Sequence, residues 1–162
     1  RGDKERGDKE RGDKERGDKE RGDKERAGSG VPATSQEAKA LLMDAEKRVS
    51  RLDWDGAKEK YELVAAGKFH RHRAYLGLAE VAFETKRADD AISYAKRAGD
   101  TPGARVLLGH AYYQKRDYAT ALQYYESVLR QNPNHTEAQN GAKAARDKLN
   151  GAGGGAGAGS VD

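Results

Sequence analysis

The chain has 162 residues and no cysteine, which excludes a disulfide scaffold, a thiol nucleophile and any thiolate metal centre. No stretch approaches the length of apolar residues that a membrane-spanning helix needs. The net charge of +4 comes from 31 Lys+Arg against 27 Asp+Glu, too balanced for the footprint of a dedicated nucleic-acid binder.

Residues 1–26 are five copies of Arg-Gly-Asp-Lys-Glu followed by Arg26, without one apolar side chain. Charges cancel within each copy, and a Gly at every fifth position costs a helix about 1 kcal/mol relative to Ala. A disordered, charge-alternating linker over 1–30 is expected, ending in the joint Ala27-Gly28-Ser29-Gly30. The Arg-Gly-Asp triplet would suit an integrin, but a repeat-expanded linker that happens to begin with those letters is the favoured reading. Residues 151–162, rich in Gly and Ala, read as a second linker. The chain thus reads as linker, domain, linker, with the fold in 31–150.

Inside that window three segments fall into register. The first carries Leu41, Ala45, Val49, Asp53-Trp54, Ala57 and Tyr61; the second Tyr75, Leu78-Ala79, Ala82-Phe83, Ala91-Ile92, Ala95 and Ala98; the third Leu108-Gly109, Tyr112-Tyr113, Asp117, Ala121-Leu122, Tyr125, Val128 and Pro133. The step from Ala57 to Ala91 is 34 residues and from Ala91 to Ala121 it is 30. Apolar spacing in each segment predicts two amphipathic helices joined by a tight turn. In the third, a helix starting at Pro102 runs to about 115, a turn falls near Asp117, and a second helix runs to about 131 before Asn132-Pro133 stops it. Ala45, Ala79 and Gly109 face Ala57, Ala91 and Ala121, so paired helices can approach closely. Residues 136–149 place Ala138, Ala142, Ala145 and Leu149 on one face of a final helix.

Leu108-Gly109-x-x-Tyr112, Ala121, Tyr125 and Pro133 resemble the signature of the tetratricopeptide repeat, a 34-residue helix–turn–helix. The resemblance covers 38–149. It implies an all-α solenoid of three units, about 34, 30 and 34 residues long at 38–71, 72–101 and 102–135, sealed by a capping helix at 136–149. Two departures stand out. Asp44 and Arg48 replace a Leu and an aromatic, so the first helix should be half exposed. The second unit is four residues short, with Gly99-Asp100-Thr101-Pro102-Gly103 as a tight link, so its second helix should be stunted.

Catalytic signatures are missing. His70 and His72 should project from different helix faces, no carboxylate stands at ligand spacing from them, and no metal or cofactor is expected. Ser35, Ser50, Ser93 and Ser127 have no evident base in the sequence. The basic run Lys68-Phe69-His70-Arg71-His72-Arg73 reads as a solvated turn whose cations favour the preceding helix C-terminus; a nucleic-acid or acidic-partner contact is the weaker alternative.

Function therefore rests on the resemblance, which implies a non-catalytic module binding a peptide or amphipathic helix in the concave surface of the first helices. Carried over, the groove positions are Lys39, Leu42, Glu46, Val49 and Ser50; Arg73, Leu76, Glu80, Phe83 and Glu84; Val106, His110, Tyr113 and Gln114; and, on the cap, Glu137, Asn140 and Ala144. The family's clamp for chaperone C-terminal carboxylates uses Lys and Asn at positions that here read Leu42, Glu46, Gly77, Gly103 and Leu107, so that ligand is not expected. An apolar stripe edged by Glu46, Glu80 and Glu84 suits an amphipathic, partly basic segment instead. A regulatory segment of a larger bacterial signalling protein, such as a Ser/Thr kinase, is the alternative. Self-association through a Tyr-rich face (Tyr112, Tyr124, Tyr125) also stays open. A cytoplasmic location is expected.

Overall fold

The computed structural model describes residues 30–153, and the regular structure among them is all helical. In chain order the helices are α1 (Ser35–Ser50), α2 (Trp54–Ala66), α3 (Arg71–Glu84), α4 (Ala88–Arg97), α5 (Pro102–Gln114), α6 (Tyr118–Leu129) and α7 (Thr136–Gly153). Each packs on the next, and α1, α3, α5 and α7 also touch in succession. The result is an α-solenoid of three helix pairs closed by α7. The charged linker and most of the Gly/Ala tail expected from the sequence lie outside the described residues. α7 runs past Leu149 to Gly153, carrying the helix through Asn150-Gly151. None of the described helices is long and apolar enough to cross a membrane.

The turn inside each pair is built the same way three times. Leu52, Lys86 and Arg116 adopt the left-handed conformation with φ of 61°, 63° and 65°. The next amide reaches back over the last turn of the helix: Asp53 N to Arg48 O, Arg87 N to Ala82 O, and Asp117 N to Tyr112 O, at 2.8 to 3.0 Å. This closes the carbonyls that a helix end leaves open. Asp53 and Asp117 then cap the following helices, their Oδ1 atoms accepting from Gly56 N and Thr120 N. The middle turn has Arg87 at that place, and its side chain caps nothing.

Burial follows the small residues. Ala45, Ala57, Ala79, Ala91 and Ala121 are all fully buried, and Gly109 lies beneath the Tyr125 ring. Each large ring has room made for it. A Cβ on Gly77 would sit 2.3 Å from Tyr61 Cζ, and a Cβ on Gly109 or Gly141 would sit 2.5 Å from Tyr125 Cε1. The middle unit inverts this arrangement: Ala95 stands in register with the two tyrosines, and Leu107 stands in register with Gly77 and Gly141. Leu107 packs against the cluster of Ala79, Ala95 and Leu108.

The middle unit's second helix is stunted, with only the ten residues of α4. On α1, Asp44 and Arg48 are half-buried, and Arg48 bridges Asp44 (3.2 Å) and Asp53 (2.7 Å). The Tyr-rich face is less open than expected: Tyr125 is 1% exposed, while Tyr112 and Tyr124 are half-buried and stack on each other at 5.5 Å.

Candidate binding groove

The inner faces of α1, α3, α5 and α7 enclose a groove of about 440 Å³. Its floor holds Leu76, Gly77, Val106 and Leu107, with the Tyr61 ring beneath Gly77. An aromatic row crosses it, Phe83 to His110 at 5.4 Å and His110 to Tyr125 at 5.6 Å between ring centres. Four carboxylates edge the groove, from Glu46, Glu80, Glu84 and Glu137, against the one guanidinium of Arg73. Arg73 Nη2 is itself engaged, donating to Glu46 Oε1 at 2.6 Å across α3 and α1.

The electrostatics of the groove bear the mark of that excess. Burial, reinforced by Glu84, Glu137 and Glu46, pushes the Glu80 carboxyl above its ordinary range, although the residue keeps a solvent-exposed edge. Burial and the charges of Glu80 and Glu46 raise the Tyr61 phenol to about 12, with Arg73 opposing. Burial holds the His110 imidazole below its ordinary range, more strongly than Glu137 and Glu84 raise it, so His110 adds no charge near neutral pH. A cation entering this groove meets uncompensated carboxylates on an apolar floor.

Of the positions taken from the sequence, Glu46, Arg73, Leu76, Glu80, Phe83, Glu84, Val106, His110 and Glu137 come together here. The other eight do not line it, Asn140 and Ala144 on α7 among them. Leu42 is 3% exposed, within the cluster that holds Tyr61 and Leu78. Val49 is half-buried against the same cluster. Lys39 stands exposed near the start of α1. Tyr113 turns edge-on to Tyr118 at 5.0 Å, and Gln114 Nε2 donates to Phe83 O at 3.2 Å, tying α5 to the end of α3. Ser50 donates to Lys47 O within its own helix. Tyr61, Gly77, Gly103 and Leu107 complete the lining. The recurrence of a Tyr with a Gly sixteen residues later, at Tyr61–Gly77 and Tyr125–Gly141, was the signal for the first two.

The basic run is dispersed by internal bonds. His70 is not in a helix; it sits in the left-handed conformation just before α3, φ 55°. Arg71 Nε donates to Ala65 O and so closes the end of α2, and Arg73 pairs with Glu46. Ser35 does meet a base, contrary to the sequence reading: its Oγ lies 2.8 Å from His70 Nε2. No acceptor orients the other ring nitrogen among the described residues, and the bond pins the start of α1 to the turn before α3. Among the described residues no group of three or more His, Asp or Glu side chains is placed to hold a metal ion.

The sequence pattern described as "Tetratricopeptide repeat" matches residues 42–105 and again 104–135, together more than half the chain. The chain belongs to the tetratricopeptide repeat family. Among curated protein sequences none matches it. Among solved structures, the first repeat domain of Spaghetti (RPAP3) bound to the HSP90 peptide SRMEEVD aligns with a TM-score of 0.65 and 23% identity, over 75% of this chain and 99% of that one. The first repeat domain of human RPAP3 aligns at 0.63 and 21%, over 70% and 93%. The P58(IPK) repeat domain aligns at 0.64 and 19%, over 72% of this chain and 35% of that one. At these identities the likeness is one of fold. Tetratricopeptide repeat domains are in general protein-interaction scaffolds.

Proposed function

We propose that this repeat domain binds a partner protein's amphipathic, partly basic segment in its concave groove and carries out no catalysis of its own. The observation that carries the reading is the set of four carboxylates around an apolar floor with one already paired guanidinium. Leu76, Phe83 and Leu107 offer contact area for apolar side chains, and Glu80, Glu84 and Glu137 offer acceptors for Lys or Arg at the segment's edge. The same charges oppose an acidic C-terminal peptide of the kind bound by the RPAP3 neighbour. Gly77, Gly103 and Leu107 supply no side-chain donor where a carboxylate clamp needs one.

The test is fluorescence anisotropy of the full chain with two labelled peptides, a Leu/Lys amphipathic helix and SRMEEVD. The Leu/Lys peptide should bind, and Glu80→Lys or Leu76→Glu should weaken it by at least about tenfold, equivalent to about 1.4 kcal/mol. Preferential binding of SRMEEVD would sink the reading.

A further inference from the structure

The four residues missing from the second repeat leave a second cavity. α4 ends at Arg97, and the chain turns through Gly99 (φ 93°) and Asp100 straight into α5. The last turn that a 34-residue repeat would lay beside α6 is absent. In its place a cleft of about 670 Å³ opens between α4, α5 and α6, larger than the concave groove and sharing no residue with its lining.

Its chemistry is opposite in sign. Ala95 and Leu108 give it an apolar base, and Tyr124, held by its stack on Tyr112, forms one wall. Lys96, Arg105 and Arg130 face one carboxylate, Asp100. Arg105 is already committed: its Nε and Nη2 donate to the two Asp100 oxygens at 2.6 Å each. Lys96 and Arg130 have no ion-pair partner among the described residues. They sit in the last turn of α4 and at the end of α6, where a cation also complements the helix dipole. That effect accounts for one positive charge at each helix end. It does not account for a partly apolar cleft held between them.

We infer that this cleft docks an acidic peptide segment of a partner protein, with carboxylates on Lys96 and Arg130 and an apolar side chain over Ala95, Leu108 and Tyr124. A cavity of this volume lies within the range of clefts that take up a ligand of drug size, about that of a few side chains. Two unpaired cations beside an apolar base match spaced carboxylates better than a polyanion, which needs a continuous basic track. The domain then offers two sites of opposite charge on different faces. A basic segment and an acidic one can be held at once.

The experiment uses the full chain and a fluorescein-labelled Glu-Glu-Leu-Glu-Glu peptide, with its Gln-for-Glu counterpart as control. Anisotropy should report binding of the Glu peptide that weakens with added salt. Lys96→Glu with Arg130→Glu should weaken it at least about tenfold, and Lys39→Glu, at an exposed cation that lines neither cavity, should leave it within about twofold. Lys96→Gln with Arg130→Gln, which keeps side-chain bulk, should reproduce most of the loss if the charge reversal disturbs helicity by circular dichroism. Absence of binding at millimolar peptide, or equal binding by the Gln counterpart or by both double variants, overturns the inference. So does displacement by an equal concentration of inorganic phosphate or a single-stranded oligonucleotide, which would make the cleft a general anion surface.

Discussion

In the third repeat Tyr125 fills the space under Gly109 and Gly141, while in the second the same register holds Ala95, and Leu107 fills in from the neighbouring helix. The third repeat caps its second helix with Asp117; the second has Arg87 there and no side-chain cap. What the two share is the left-handed turn at Lys86 or Arg116 and the fully buried Ala91 or Ala121. Close approach of the helix pair is therefore the fixed requirement, and the identity of the large filler is not. Volume can come from either side of the interface as long as the other side gives way.

The comparison breaks hardest at Tyr125. It is 1% exposed and fills the space at Gly109 and Gly141, so Tyr125→Ala should cost about 3–5 kcal/mol in a urea melt. A loss below about 1 kcal/mol would mean the third repeat tolerates the small filler as the second does. The swap itself can be sharpened by a double-mutant cycle. Ala95→Tyr overfills the second interface and Leu107→Gly empties it; combined, they restore the Tyr–Gly pairing of the other repeats. The pair should couple favourably by about 1–3 kcal/mol, and strict additivity would refute the equivalence of Leu107 with Gly77 and Gly141. The smallest expected effect is at the cap. Arg87→Asp gives α4 the residue that α2 and α6 already have, at the loss of an exposed 3.5 Å ion pair with Asp90, and should stabilise by about 1 kcal/mol.

The repeat was legible because its markers are small residues at fixed steps, and a buried Ala at a helix crossing reads the same in every unit. The groove was legible only in part. Leu42, Leu76 and Val106 share one register position, yet Leu42 is covered within the first cluster while Leu76 lines the groove. Register says which way a side chain leaves its helix. It does not say what the neighbouring turn lays over it. The Ser35–His70 bond was hidden for a related reason. The two residues are 35 apart, and their meeting depends on the backbone of His70 leaving the helix that its neighbours suggested.

The order of helix contacts also governs how the halves of the array communicate. Among the described helices, α1 and α2 touch each other and α3, and neither reaches α4, α5, α6 or α7. Every cooperative bond between the first repeat and the third is therefore routed through the second, the repeat with the short helix and the missing cap. In a one-dimensional array the weakest unit in the middle sets whether the ends melt together or apart. Loosening the middle repeat uncouples the first repeat from the third and its cap, and stiffening it makes the three melt as one body.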